Sequence, residues 1–175
     1  FSNQDGLTMI KRTHSQDTPS VGIIMPTFNG QRFIEEQLDS LLRQDGVLVH
    51  IYAFDDGSHD DTVAILQKFA ATYPTTFTIY ESGVNSGGTG LNILRNMPAV
   101  PDTHEFFALA DQDDVWAPDK LLRGIEALNR DHSDLYFSNL RAWDGGEKIV
   151  GIVRKDAPMR ARDYLFGGGS AGCTY

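Results

Sequence analysis

The sequence contains little sulfur and no long apolar run. Cys173 is the single cysteine among 175 residues, which excludes a disulfide framework and a thiolate metal site. No apolar stretch approaches the roughly 20 residues needed to cross a bilayer, and no basic segment followed by an apolar one marks a signal peptide. We therefore expect a soluble cytoplasmic protein. Any membrane association, peripheral at the inner face, would arise only through residues outside this chain.

Basic residues are also scarce relative to acidic ones. The chain carries 15 Lys and Arg against 24 Asp and Glu, a formal net charge of -9. This balance disfavours partners bound through a phosphate backbone, so nucleic acid is not an expected partner. An acidic protein that handles a phosphorylated small molecule needs something to offset the repulsion. A divalent cation at clustered carboxylates would do so.

The length fits one domain, near the usual size of roughly 100–150 residues. Residues 1–19 are polar, lack a sustained period and close on Thr18-Pro19, which predicts a leader without regular structure. The domain is expected to span residues 20–175. Because the chain lacks an initiator Met and stops abruptly at Tyr175, we expect it to be part of a longer protein, truncated at its C-terminal end.

Strand-like and helix-like segments alternate along the domain. Short apolar runs predict strands at residues 21–25, 47–54, 77–80 and 106–110. Helical spacing predicts helices around residues 34–42, 59–72, 91–94 and 118–128, with Pro118 in the first turn of the last one. This alternation predicts an α/β fold with a mostly parallel sheet, flanking helices and right-handed crossovers.

The rhythm changes after Asp134. Residues 135–143 and 148–153 flank Asp144-Gly145-Gly146, which is a hairpin signal. We therefore expect an antiparallel C-terminal hairpin joined to the parallel sheet.

Polar residues follow each predicted strand. The carboxyl ends of parallel strands share one edge of a sheet, and open α/β folds bind ligands at that edge. We therefore expect a single crevice formed by Pro26-Thr27-Phe28-Asn29-Gly30, Asp55-Asp56-Gly57-Ser58, Ser82-Gly83 and Asp111-Gln112-Asp113-Asp114.

The acidic run at 111–114 is the most informative of these clusters. Side chains alternate in an extended segment, so Asp111 and Asp113 are expected on one side and Asp114 on the other. Two carboxylates on one side suit Mg²⁺ or Mn²⁺ held jointly with substrate phosphates.

The acids after the second strand have a structural and a functional interpretation. Ser58 and Asp61 are interpreted as a capping box that opens the next helix. Adjacent buried acids are costly unless something neutralises or hydrogen-bonds them, which favours a ligand role for Asp56. Its carboxylate could accept the N3–H of a pyrimidine, whereas Asp55 is left open between the two interpretations.

The loop Asn85-Ser86-Gly87-Gly88-Thr89-Gly90 matches neither the dinucleotide fingerprint nor the P-loop. Its small residues favour close backbone approach to a nucleotide and the opening of a helix, with a plain loop as the alternative.

With these residues in place, the chain resembles the family 2 glycosyltransferases, inverting nucleotide-sugar enzymes of the GT-A class. It is most similar to bacterial rhamnosyltransferase-like enzymes of surface polysaccharide synthesis. The matching elements are Ile24-Met25-Pro26-Thr27-Phe28-Asn29-Gly30, Asp55-Asp56-Gly57-Ser58-His59-Asp60-Asp61-Thr62, Asn85-Ser86-Gly87-Gly88, and Asp111-Gln112-Asp113 continuing into Val115-Trp116-Ala117-Pro118-Asp119-Lys120-Leu121.

The resemblance implies a GT-A, Rossmann-like fold and metal-dependent transfer of a sugar from a UDP- or dTDP-linked donor to a saccharide or lipid-linked acceptor. It implies that Pro26, Thr27 and Phe28 line the base and ribose, and that Asp56 binds the uracil or thymine ring. The loop from Asn85 to Gly88 would lie near the nucleotide. Asp111 would contact the ribose or the metal, and Asp113 would ligate Mn²⁺ or Mg²⁺.

The catalytic residue is not assigned from the sequence. Family members place a loop beneath the sugars that resembles residues 167–174, for which a flexible linker is the alternative, and the catalytic base usually follows that loop. We therefore name no base, and the chain itself could be inactive. Two alternatives stay open, namely a non-catalytic nucleotide-sugar-binding module and, ranked last, a sugar-phosphate nucleotidyltransferase.

Overall fold

The structure is a computed structural model that describes residues 18–143 and 149–153. Three predictions lie outside these residues: most of the polar leader, the turn Asp144-Gly145-Gly146, and the segment 167–174 that includes Cys173.

A 4-stranded parallel sheet forms the centre of the domain, in the order β3-β2-β1-β4. Each strand coincides with one of the predicted apolar runs, which confirms the α/β expectation. β1 is one of the two inner strands and is rich in β-branched residues. It is buried along nearly its whole length. The strands are β1 (Ser20–Thr27), β2 (Leu48–Asp55), β3 (Phe77–Glu81) and β4 (Phe106–Leu109).

Helices connect and flank these strands, as the alternating pattern predicted. They are α1 (Ile34–Leu42), α2 (Thr62–Thr72), α3 (Thr89–Asn96), which continues into a 3-10 turn at Met97–Ala99, and α4 (Lys120–Asp131).

The prediction that Pro118 lies in the first turn of α4 is wrong, because the helix begins two residues later. α4 begins at Lys120, with Asp119 at its N-cap position, so Pro118 precedes the helix. The reason is a turn whose carbonyls are already engaged: the Pro118 carbonyl accepts from the Asp45 amide at 2.8 Å, and the Ala117 carbonyl accepts from the Lys120 amide at 3.0 Å.

The main core lies between one face of the sheet and the apolar stripe of α1. Ile34, Leu38 and Leu41 of this stripe are fully buried, as are Ile23 and Met25 of β1. Burying a side chain of this size contributes roughly 1.5–3 kcal/mol. The central strand and α1 are therefore held firmly together, and both lead directly to the edge where the polar clusters lie.

The predicted hairpin is present, but its connection to the parallel sheet is wrong within the described part of the chain. β5 (Leu140–Trp143) pairs antiparallel with β6 (Ile149–Val153). Among the described residues the pair forms a 2-stranded sheet of its own, and neither β5 nor β6 is paired with a strand of the parallel sheet.

Among residues 18–143 and 149–153, no helix combines the length and apolar character required to span a membrane.

Candidate functional site

A crevice of about 370 Å³ opens at the carboxyl ends of the parallel strands. This volume falls within the roughly 300–1,000 Å³ typical of small-molecule sites. Every residue assigned to the nucleotide or the metal in the sequence analysis lies on its wall. The wall consists of Pro26, Thr27, Phe28, Asp56, Asn85, Gly88, Thr89, Asn92, Asp111, Gln112 and Asp113.

The parallel register explains why these loops meet. Thr27, the last residue of β1, is paired with Asp55, the last residue of β2. The Asp56 amide then donates to the Thr27 carbonyl at 2.9 Å, and the Ala110 amide donates to the Ile24 carbonyl at 3.0 Å. The chain therefore leaves β1, β2 and β4 at neighbouring points of one edge.

Asp55 has a structural role. Its carboxylate is buried and accepts hydrogen bonds from the Thr27 hydroxyl at 3.1 Å, the Gly57 amide at 3.0 Å and the Ser58 amide at 2.8 Å, as well as from the Ser58 hydroxyl. These donors hold the turn after β2 against the end of β1. Asp55 is absent from the crevice wall. Of the two interpretations that the sequence left open for Asp55, its contacts favour the structural one over a ligand-binding one.

The predicted capping box of Ser58 and Asp61 is wrong. α2 begins at Thr62, and the side chain of its N-cap residue Asp61 makes no capping hydrogen bond. The Ser58 hydroxyl instead donates to the Asp55 carboxylate and accepts from the Asn29 amide, the latter at 2.9 Å. Asp60 does the local capping, since its Oδ1 accepts from the Thr62 amide at 3.0 Å.

Asp56 faces the crevice and is almost fully buried, at 4% exposure. Its two oxygens contact the same residue: Oδ1 accepts from the Ser86 amide at 2.8 Å, and Oδ2 accepts from the Ser86 hydroxyl at 2.8 Å. A carboxylate has about four lone-pair sites, so each oxygen can accept a further donor. Ser86, which the sequence analysis placed only within a loop near the nucleotide, therefore fixes this carboxylate at the wall of the crevice.

The glycine-containing loop opens α3, as its composition predicted. Gly87 has φ 96°, a conformation that disfavours any other residue, and the Gly88 carbonyl accepts the Asn92 amide of the first helical turn at 3.0 Å. Asn92 is buried and donates to the Phe54 carbonyl at 2.9 Å, which anchors α3 to the end of β2. The approach of this loop to a nucleotide stays a prediction.

The acids of the run divide as expected, but not through side-chain alternation, because residues 112–113 form a turn and Gln112 lies on the crevice wall as well. Asp111 and Asp113 lie on the crevice wall, whereas Asp114 does not. Within the part of the chain that the structure describes, Asp114 Oδ2 is buried without a hydrogen-bond partner. Burial and, to a smaller extent, the charges of Asp111 and Asp113 raise the pKa of Asp114 to about 6, while the charge of Lys120 acts in the opposite direction. The three acids thus form one region of negative potential.

Lys120 is the cation next to this region. Burial lowers its pKa, and the charge of Asp114 acts in the opposite direction. Its ammonium lies 4.8 Å from the centre of the Trp116 ring and donates to the Ser138 hydroxyl at 3.2 Å. The side chain therefore links the start of α4 to the segment that precedes β5.

Buried polar residues on α1 and just after it hold the backbone of the acidic loop and of the segment that follows that loop, a feature that the sequence analysis missed. Gln37 Nε2 donates to the Asp111 carbonyl at 3.0 Å, and the Ser40 hydroxyl accepts from the Trp116 amide at 3.0 Å. Gln44 donates to the Ala117 carbonyl at 2.8 Å and accepts from the Leu121 amide at 3.1 Å. The available signal was their helical spacing, which places them beside Leu41 on the buried face.

Gln112 is a second missed residue. It lies between the two crevice acids, and its side-chain amide makes a pair of hydrogen bonds to the main chain of Phe28. Phe28 amide to Gln112 Oε1 is 2.9 Å, and Gln112 Nε2 to Phe28 carbonyl is 3.0 Å. The acidic loop is therefore joined directly to the loop after β1.

The donor set at the crevice fits a hard cation only in part. Within residues 18–143 and 149–153 there is no group of three His, Cys, Asp or Glu side chains arranged to hold a metal. Asp111 and Asp113 offer carboxylate oxygens, which Mg²⁺ and Mn²⁺ prefer. Such a pair fits a cation that completes its coordination with substrate phosphates and water, rather than one held in a closed protein cage.

Residues 22–168 match the sequence profile of Glycosyl transferase family 2. The chain belongs to this family. It is 35% identical over 153 residues to the dTDP-rhamnosyl transferase RfbG of Shigella flexneri, a match that covers 86% of this chain and 52% of that protein. It is 28% identical over 138 residues to the poly(ribitol-phosphate) β-N-acetylglucosaminyltransferase TarS of Staphylococcus aureus, covering 78% of this chain and 23% of that protein.

Solved structures of related folds agree with this family assignment. S. aureus TarS 1-349 in complex with UDP-GlcNAc superposes with a TM-score of 0.61 at 25% identity, covering 74% of this chain and 36% of that one. The mannosyltransferase PcManGT of Pyrobaculum calidifontis, in complex with GDP-Man and Mn²⁺, gives a TM-score of 0.58 at 25% identity, with coverages of 73% and 36%. The GT-A fold expected from the resemblance is thus confirmed. The chain spans about half the length of RfbG and less of the other relatives named here.

Proposed function

We propose that this family 2 chain binds a pyrimidine nucleoside-diphosphate sugar in the crevice and forms the donor-binding part of an inverting, metal-dependent glycosyltransferase. The acceptor would be a saccharide or a lipid-linked saccharide in surface polysaccharide synthesis. The observation that carries the proposal is the placement of Asp56 and the pair Asp111 and Asp113 on the wall of one crevice.

The base would lie against the loops after β1 and β2. Asp56 is a hydrogen-bond acceptor fixed by Ser86, with lone pairs left for the N3–H of uracil or thymine. Pro26 and Phe28 supply apolar surface, and Thr27 is buried between them. The names of RfbG, a dTDP-rhamnosyl transferase, and of the TarS complex with UDP-GlcNAc support a pyrimidine nucleotide.

The diphosphate would lie toward the acidic loop. Two carboxylates on one wall repel a diphosphate. The net charge of the chain is -9, so its overall charge does not offset that repulsion. A cation shared between Asp111, Asp113 and the phosphates would convert repulsion into attraction, and would supply charge stabilisation of the departing nucleoside diphosphate. The Mn²⁺ in the PcManGT complex supports a divalent metal.

In the proposed reaction, an acceptor hydroxyl attacks the anomeric carbon of the donor sugar while the bond to the nucleoside diphosphate breaks. A carboxylate base takes the hydroxyl proton, and the configuration at the anomeric carbon is inverted. We assign no described residue as this base, because Asp111 and Asp113 would be committed to the cation and Asp56 to the nucleotide base. Membership of the family favours this reaction over the nucleotidyltransferase alternative.

The proposal is tested by calorimetric titration of UDP and dTDP into the chain with and without Mn²⁺. We expect binding that strengthens with Mn²⁺ and that loses this gain in Asp113→Ala. Asp102→Ala is the matched control, because Asp102 is an exposed acid outside the crevice. Equal nucleotide affinity in the presence and absence of metal, or an equal gain in Asp113→Ala, would contradict the metal-dependent site.

A further inference from the structure

The middle residue of the acidic motif is directed at the opposite loop. The Gln112 amide pairs with both polar groups of the Phe28 main chain, at 2.9 Å and 3.0 Å, across 84 residues of sequence. A side-chain amide matched to a peptide group in this way fixes distance and orientation together, because both bonds must be satisfied at once.

The absence of a side chain at Gly30 leaves the space that the Gln112 amide occupies. A Cβ on Gly30 would overlap Gln112 Oε1 and lie 2.7 Å from its Cδ, closer than van der Waals contact allows. The backbone of Gly30 is not at positive φ, so any residue could adopt its conformation. The glycine is therefore required by the position of Gln112 and not by the turn itself.

The loop after β1 is already attached on its other side. The Asn29 amide donates to the Ser58 hydroxyl at 2.9 Å, and the Gln31 amide donates to Asp60 at 3.1 Å. Both contacts tie this loop to the region that precedes α2 and carries Asp56. The Gln112 pair adds the connection toward the acidic loop, so the loops after β1, β2 and β4 are joined through Phe28 and its neighbours.

We propose that Gln112 is a positioning residue that sets the acidic loop at a fixed distance from the nucleoside-binding loop, so that metal and nucleotide bind cooperatively. This inference rests on the proposed nucleotide and metal site, and it adds that the binding of the metal and the binding of the nucleotide are coupled. A cation at Asp111 and Asp113 can reach the diphosphate only if the loop that holds the nucleoside keeps its place relative to those acids. When the link is cut, the nucleoside contacts persist and the benefit of the metal declines.

Cutting the link should leave the fold intact. The acidic loop keeps its separate anchor to α1, since Gln37 donates to the Asp111 carbonyl at 3.0 Å. Gln112→Met retains the length of the side chain and removes both hydrogen bonds. Gln67→Met, at an exposed glutamine of α2 outside the crevice, is the matched control.

The test measures the Kd of UDP by calorimetry with and without saturating Mn²⁺, together with the thermal unfolding midpoint. We expect Gln112→Met to weaken binding roughly tenfold in Mn²⁺, with little change in the metal-free Kd or in the unfolding midpoint. Gln67→Met should match the wild type in every arm. Equal Mn²⁺ enhancement in Gln112→Met and the wild type would overturn the inference, as would a loss of equal size with and without metal.

A second set of variants keeps the test valid if Gln112→Met folds poorly. Gly30→Ala should displace the Gln112 amide and reproduce the loss of Mn²⁺ enhancement. In the double variant Gly30→Ala with Gln112→Ala, the added methyl group finds open space, so the loss should equal that of Gln112→Ala alone. Additive losses would overturn the inference. Absence of UDP binding by the wild type in Mn²⁺ would instead overturn the proposed function, and with it the inference.

Discussion

The carboxylates of Asp55 and Asp56 are adjacent in the chain and contact different loops. Asp55 accepts from Thr27 and from the turn at Gly57 and Ser58, and it lies behind the crevice. Asp56 accepts only from Ser86 among the hydrogen bonds that the structure describes, and it lies on the crevice wall. Two residues of the same type, one position apart, are thereby separated into a structural and a proposed ligand-binding role.

Asp56→Asn is expected to weaken UDP binding by roughly 10- to 100-fold, because a hydrogen bond to a charged acceptor contributes about 1.5–3 kcal/mol. Calorimetry with UDP and with N3-methyl-UDP isolates the contact. The wild type should discriminate strongly between the two nucleotides, and Asp56→Asn should discriminate weakly. A wild type that binds N3-methyl-UDP as tightly as UDP would show that Asp56 does not read the N3–H.

Asp55→Asn is expected to reduce the free energy of unfolding by about 1–3 kcal/mol, because a single amide oxygen cannot serve all the donors that converge on this buried carboxylate. The measurement is urea unfolding followed by circular dichroism. Asp55→Asn should lose stability, whereas Asp56→Asn should lose mainly affinity. The reverse assignment of the two losses would contradict the division between these residues.

Gln37→Leu is expected to reduce the free energy of unfolding by roughly 1–3 kcal/mol, since it removes the donor to the Asp111 carbonyl from a fully buried position. The exposed Gln67→Leu on α2 should change stability by no more than about 0.5 kcal/mol. Chemical unfolding of both variants provides the comparison. Equal stability of the two would mean that the buried contact contributes nothing to holding the acidic loop.

His50 and His104 are expected to make the chain less stable at mildly acidic pH. Burial lowers the pKa of both below 6.5, and the charge of His104 lowers that of His50 further. As pH falls through 6.5, the unfolded chain binds protons at these imidazoles before the folded chain does, so the free energy of unfolding falls. Above that pH both states are neutral and the full stability is present.

Urea unfolding at pH 7.5 and pH 5.5 tests this dependence. The double variant His50→Gln with His104→Gln should lose less stability between the two pH values than the wild type does, because other titrating groups are common to both. Identical losses in the two proteins would remove these imidazoles as a source of the pH dependence.

The sequence predicted the sheet and the crevice because both follow from simple periodicity. Short apolar runs such as 106–110, bounded by polar turn residues, favour strands, and parallel strands bring Thr27, Asp56 and Asp111 to one edge. The separation of Asp114 from Asp113 was also predicted, although residues 112–113 form a turn and not the extended segment from which it was argued. These features depend on local pattern and on topology, and both are visible in the chain.

The contacts that secure the acidic loop were not predictable in the same way. Helical spacing places Gln37 and Ser40 on the buried face of α1, but periodicity does not reveal which buried backbone groups their polar atoms bond. The capping error has a related cause, because Ser58, Asp60 and Asp61 are all competent caps and only the start of α2 at Thr62 decides among them. Pairings between distant loops, such as Gln112 with Phe28, require coordinates.

The most direct test of the central claim is the location of the bound nucleotide, measured by amide chemical shifts of the ¹⁵N-labelled chain titrated with UDP and Mg²⁺. If the ends of β1, β2 and β4 and the loop before α3 form the site, the largest shifts will fall on the amides of Phe28, Asp56, Ser86 and Gln112, with the amides of His50 and Glu105 at the opposite edge unchanged. Shifts concentrated away from the crevice, or none at saturating nucleotide, would contradict the claim.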